Sequence, residues 1–185
     1  MQSLTVRTWL CSDDQMSSQQ PIRWGGLAAM LAGALRTATS FWPSPEPGVA
    51  LEIFYLLIDL LILFGILGIY TFQIEHIGLL GLIGFGLAVT GAAIITGPDG
   101  TLGPVDMYAA GSLSLGLGLV FLAAASWTAH TLPVWVGILW VVSTAAGIAG
   151  AMTGLQTLYL MSGVAFGVAF MGAGAAVWSK ARARN

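Results

Sequence analysis

The sequence predicts an all-α bundle of six membrane-spanning helices, built as three antiparallel hairpins. Three observations predict it. No lysine or arginine occurs between Arg36 and Lys180. Charged residues make up 8% of the chain, against about a quarter of a soluble one. The apolar residues, which raise the mean hydropathy to +0.86, fall into runs of the length a bilayer requires, roughly 20 residues. A soluble surface this long would need scattered cations, so most of the stretch does not meet water.

Residues 1–22 come first. They are polar, with Ser-Asp-Asp-Gln and Ser-Ser-Gln-Gln, and read as a disordered cytoplasmic tail. Their odd composition makes Met16 an alternative start. No apolar run precedes Trp24, so no secretory signal is read there. The chain has one cysteine, Cys11, which excludes an internal disulfide and reads as a reduced thiol.

The membrane domain is read over 23–179. Its first run, 24–42, is interrupted by Arg36. The second, 50–70, contains Asp59. Between them Pro43-Ser-Pro-Glu-Pro-Gly48 cannot continue a helix, because each proline lacks an N–H donor. The third run is 77–97, and a Gly/Pro-rich loop follows it. The fourth is 107–127. The fifth, 133–152, begins at Pro133, whose missing donor costs nothing in a first helical turn. The sixth is 157–178, and a basic cytoplasmic tail, 180–185, follows. Short connections make consecutive helices antiparallel neighbours.

Aromatic residues mark the ends of the runs. Trp24, Trp42, Tyr70, Tyr108, Trp127, Trp135, Tyr159 and Trp178 all lie near a boundary, where headgroups satisfy both an apolar ring and a polar tip. Trp140 lies deeper, inside the bundle or facing lipid. Orientation follows from the cations. Arg7 and Arg23 precede the first helix, and Lys180, Arg182 and Arg184 follow the last. Both ends then belong in the cytoplasm, which requires an even number of spans.

Small residues decide which faces of membrane helices meet. Gly84, Ala88 and Ala92 form one stripe, and Ser143, Gly147 and Ala151 another. Gly150 with Gly154 and Gly163 with Gly167 have GxxxG spacing. Packing within the chain is the favoured reading. A homo-oligomer or a membrane-protein partner held by such faces is the other. The 107–127 and 157–178 helices also share Tyr, Gly, Ala and Trp positions, as a tandem hairpin repeat would.

Arg36 and Asp59 are the sharpest pair. Arg36 lies about 9 Å from the outer end of its helix and Asp59 about 13 Å from the same side. Each alone would cost about 2.5–3.5 kcal/mol at the bilayer centre, so an intramembrane ion pair is expected. Glu52 and Tyr55 share the helical face of Asp59 and form an accessory polar face. The pair reads as a structural lock or as a proton or ion site; a third reading has Arg36 snorkelling to the outer headgroups and Asp59 protonated.

Glu75, His76 and His130 fall in inner loops and are weak metal candidates, since metal sites usually take three or four ligands. They read as solvated loop residues, and no metal or cofactor is expected. No HExxH, GxSxG, CxxC or phosphate-binding glycine loop occurs. Nothing resembles a nucleophile with its base. Nothing basic outside the two ends suits a nucleic acid. The expected partner is the lipid bilayer.

From the fourth helix onward the chain resembles a family. Trp127, then Leu132-Pro-Val-Trp-Val-Gly-Ile-Leu139, then a Gly/Ala-rich last helix ending in Trp178 and basic residues, are similar to uncharacterised small multi-pass membrane proteins of bacteria. Arg23-Trp-Gly-Gly-Leu-Ala-Ala29 has the same flavour. The resemblance implies a bacterial inner membrane and no known activity. The function expected is therefore that of a non-enzymatic integral membrane protein, a subunit or interaction partner. The alternative is a small transporter or channel using Asp59.

Overall fold

The computed structural model describes residues 3–41, 48–97, 101–102 and 105–183, with side chains from Gln20 onward. Six helices account for nearly all of them. They are α1 (Ser3–Ser40), α2 (Val49–Gln73), α3 (Gly78–Thr96), α4 (Met107–Ala129), α5 (Val134–Thr153) and α6 (Gln156–Ala183). Two short strands, β1 (Thr101–Leu102) and β2 (Val105–Asp106), pair antiparallel ahead of α4. Five helices, α2 to α6, are long and apolar enough to cross a membrane. The chain is thus a helical bundle of multi-pass membrane character.

Local chemistry sets the helix ends. Asp106 caps α4 by accepting a hydrogen bond from the Ala109 N–H at 3.1 Å. At the other end of α4, His130 adopts a left-handed conformation (φ 53°), and its N–H returns to the Ser126 and Trp127 carbonyls. Gly154 ends α5 at φ 70°, a conformation glycine takes without a Cβ clash. Gly154 is therefore a turn residue, and the Gly150–Gly154 spacing makes no packing face.

α1 starts earlier than expected, at Ser3, and so includes most of the polar segment read as a tail. No glycine or proline precedes Pro21, so nothing local breaks the helix. α2 runs on to Gln73 and α6 to Ala183, each beyond its apolar run. Trp42, the Pro43–Pro47 segment with Glu46, Asp99 and Arg184 lie outside the described residues.

Each helix packs on its chain neighbours, and α1 packs on α6, which closes a ring. Small residues make the closest seams. A Cβ on Gly84 would lie 2.7 Å from the Leu122 N and 2.8 Å from the Gly118 O of α4, so these backbones touch. Gly163 and Gly167 lie against Ser40 and Thr37 of α1, and Gly26 lies against Gly174 of α6. Gly25 and Ala29 of α1 meet Gly68 and Gly65 of α2 in the same manner. The α5–α6 seam adds a reciprocal clasp. Ser143 Oγ donates to the Ser162 carbonyl and Ser162 Oγ to the Ser143 carbonyl, both at 2.9 Å.

The centre is filled. Ile66, Leu119, Trp140 and Phe170 are almost wholly buried there. Trp140 meets Phe170 edge-on at 5.9 Å, and Phe170 stacks on Phe166 at 4.6 Å. Such offset and edge-on contacts contribute about 0.5–1.5 kcal/mol each beyond area burial. Trp140 is thus an interior residue.

Candidate functional site

Two polar places interrupt the apolar bundle. The first is built on α1 and α2. The contacts of Gly25 with Gly68 and of Ala29 with Gly65 set an antiparallel register. Arg36 lies two turns beyond Ala29 on the same face. The corresponding position on α2, two turns before Gly65, is Ile58. Asp59 follows directly, so the two charged residues stand at the same level of neighbouring helices.

They do not touch. Among the described residues no carboxylate forms an ion pair, and Asp59 has no hydrogen bond. Arg36 is near enough to be felt by Asp59 through space, although burial of the carboxyl is the larger influence on it. Both side chains are half-buried. Two features hold Arg36 in place. Its carbonyl accepts from Thr39 Oγ1 at 2.9 Å and from Ser40 Oγ at 3.0 Å. The next residue, Thr37, packs on Gly167 of α6. Tyr55, one turn from Asp59, is half-buried beside Phe54, and Glu52 is exposed.

The second place was not expected from the sequence. Gln73, the last residue of α2, is fully buried. Its Oε1 accepts from Ser126 Oγ of α4 at 2.8 Å and from Thr131 Oγ1 of the α4–α5 turn at 2.6 Å. The Thr131 N–H donates to the Ser126 carbonyl at 3.2 Å. The Thr131 carbonyl accepts from Lys180 Nζ of α6 at 2.7 Å. One cluster thus ties α2, α4, the α4–α5 turn and α6 at the end of the bundle where the chain begins and ends.

The proton count of this cluster is informative. Ser126 Oγ also reaches the Leu122 carbonyl at 2.7 Å, but it has one proton for two acceptors. The Gln73 Nε2 is buried with no partner. Turning the amide by 180° would let Nε2 donate to both hydroxyls and free Ser126 for Leu122. Oε1 would then be the unmet atom. In either orientation one polar atom of Gln73 stays buried and unpaired.

The loop candidates adjoin the second place without contributing side chains to it: the His76 N–H donates to the Gln73 carbonyl at 2.9 Å, and His130 precedes Thr131. Glu75 and His76 are exposed in the α2–α3 turn. His130 is exposed after α4, with Nδ1 3.2 Å from the Thr128 carbonyl. Among the described residues no three His, Cys, Asp or Glu side chains gather as a metal site would need.

What sequence reasoning missed is the neutral cluster. Its signal was present: a glutamine closing an apolar helix, and a serine inside Ala123-Ala-Ala-Ser126. No family model, curated protein or solved structure matches the chain.

Proposed function

We propose that this chain is a six-span protein of a bacterial inner membrane with both ends in the cytoplasm. It serves there as a non-enzymatic subunit or interaction partner. The filled centre carries this reading: Ile66, Leu119, Trp140 and Phe170 occupy the middle of the ring, where a conducting path would need polar or open space. The place of α1 supports the sixth span. It lies between α2 and α6 and meets both through small residues, so it shares their depth. Most cations and carboxylates also separate along the bundle, with Glu75 and Arg36 as the exceptions. Arg23, Lys180 and Arg182 stand at one end, and Glu52 and Asp106 at the other.

The bilayer is one partner in this reading. Another copy or another membrane protein would meet the outward faces, because the glycine stripes of α3 and α6 are already covered by α4 and α1. Reporter fusions test the topology. A fusion after Asn185 is expected to read cytoplasmic, and one inserted between β1 and β2 periplasmic. The same side for both, or a periplasmic Asn185, would defeat six spans.

A second reading rests on one observation: Asp59 is a half-buried carboxylate without a hydrogen bond, facing an arginine at its own depth. That is the arrangement of a proton or ion site. Glu52 and Tyr55 would line its approach. Purified protein in liposomes separates the two readings. The structural reading expects proton flux equal to that of empty liposomes. Flux abolished by Asp59→Asn would establish transport instead.

A further inference from the structure

We propose that Arg23, Trp178 and Arg182 form a binding site for the phosphodiester headgroup of an anionic phospholipid, at the corner where α1 meets α6. The proposal rests on the membrane placement argued above, though not on which side of the membrane this end faces.

The corner is built by the glycine seam. A Cβ on Gly26 would lie 3.0 Å from the Gly174 O and 3.2 Å from the Trp178 N, so α1 and α6 are in backbone contact here. One turn before Gly26, Arg23 lays its guanidinium over the Trp178 ring, 5.1 Å from the centroid. A cation held over an indole face is oriented and loses little further freedom on binding. Arg182 stands four residues after Trp178, on the same face of α6. Arg182 thus lies one helical turn from the indole that Arg23 covers.

Among the described residues nothing neutralises either arginine. Among the described residues neither has a carboxylate partner or a side-chain hydrogen bond. Glu75, in the α2–α3 turn, is the only carboxylate at this end whose side chain is described. Unpaired cations at the edge of a low-dielectric slab attract a counter-ion. Guanidinium groups match phosphate by paired N–H donors. The surroundings select a lipid over free phosphate. The site stands at the end of α6, a helix long and apolar enough to cross a membrane, so acyl chains would run along that helix below the headgroup. Lys180 is not part of the site, because its Nζ turns to the Thr131 carbonyl.

The test uses the full-length protein in detergent, titrated with phosphatidylglycerol or phosphatidylcholine and read by native mass spectrometry. The wild type is expected to retain phosphatidylglycerol in preference. Arg23→Gln and Arg182→Gln should each weaken that binding about fivefold, as expected per cation near an anionic surface. Arg23→Lys should restore part of it, since it keeps the charge and loses the paired donors. Lys180→Gln should leave it unchanged. An equal fall in Lys180→Gln, or no fall in the Arg23→Gln/Arg182→Gln double variant, overturns the site. So does displacement of the lipid by millimolar inorganic phosphate. Carbonate extraction of cell membranes separates the two levels of failure. If the wild type is released, the membrane placement is wrong; if it stays and no lipid preference is seen, the site is wrong.

Discussion

The two polar places in this bundle solve the problem of polarity in an apolar interior in opposite ways. Near one end, the ionisable residues Arg36 and Asp59 stand at one level of neighbouring helices and form no ion pair. Near the other, Gln73, Ser126 and Thr131 carry no charge and are joined by short hydrogen bonds. Charges attract over distance, so Arg36 and Asp59 do not need a fixed geometry. An amide and a hydroxyl attract only in contact, so the neutral cluster has to be fully buried and correctly placed. The first place is adaptable, and the second is a fastener. Function that needs movement belongs with the first, and cohesion of the bundle belongs with the second.

The largest expected effect follows from that contrast. Gln73→Ala removes a fully buried side chain and leaves Thr131 Oγ1 without its acceptor, while Ser126 Oγ keeps the Leu122 carbonyl. A loss of about 2–3 kcal/mol is expected, combining the cavity with the unmet group. Thermal unfolding in detergent measures it. Replacing Gln73, Ser126 and Thr131 together by Leu, Ala and Val should cost less than Gln73→Ala alone, because no polar group is then stranded. A triple variant less stable than the single one would show that the hydrogen bonds themselves, and not the stranding, matter most.

The charged pair should behave more gently. Asp59→Asn is expected to lower stability, and adding Arg36→Gln to restore part of the loss. Because the two side chains are apart, a double-mutant cycle should give a coupling below about 1 kcal/mol. A coupling above about 2 kcal/mol would mean that the pair closes into direct contact in a bilayer. Additive losses would mean that the two charges do not sense each other, which would remove the Coulombic link.

The same contrast explains what could be read from the residues alone. Arg36 and Asp59 stand out because a charge in an apolar run is a local anomaly, visible without any neighbour. Their shared depth also follows from helical rise and a short loop. Their lack of contact does not, since it depends on side-chain direction across a seam set by Gly25, Gly65 and Gly68. The Gln73 cluster leaves only a faint trace, two polar residues at the edge of apolar runs, for a different reason. Gln73 and Thr131 are ordinary turn-side residues by composition. Only the tertiary meeting of α2 with the α4–α5 turn gives them meaning. Helix number and most boundaries were legible, because prolines, glycines and Asp106 punctuate the apolar runs. The extension of α2 to Gln73 was not, since its last residues lose the apolar character while the helix continues. Burial by another helix, and not local sequence, holds that turn.

The smallest effect tests where the neutral fastener ends. Lys180 donates to the Thr131 carbonyl at 2.7 Å, but it is itself exposed, and water can replace that bond. Lys180→Gln should therefore cost about 0.5 kcal/mol or less in global stability. Its effect should be local. Thr131 remains tied to Gln73 and Ser126, so amide hydrogen exchange should quicken in the last turn of α6 and stay unchanged in α2. Faster exchange reaching Gln73 would instead make Lys180 a working member of the cluster. The basic end of α6 would then be mechanically linked to α2, and a headgroup bound by Arg182 could be felt across the bundle.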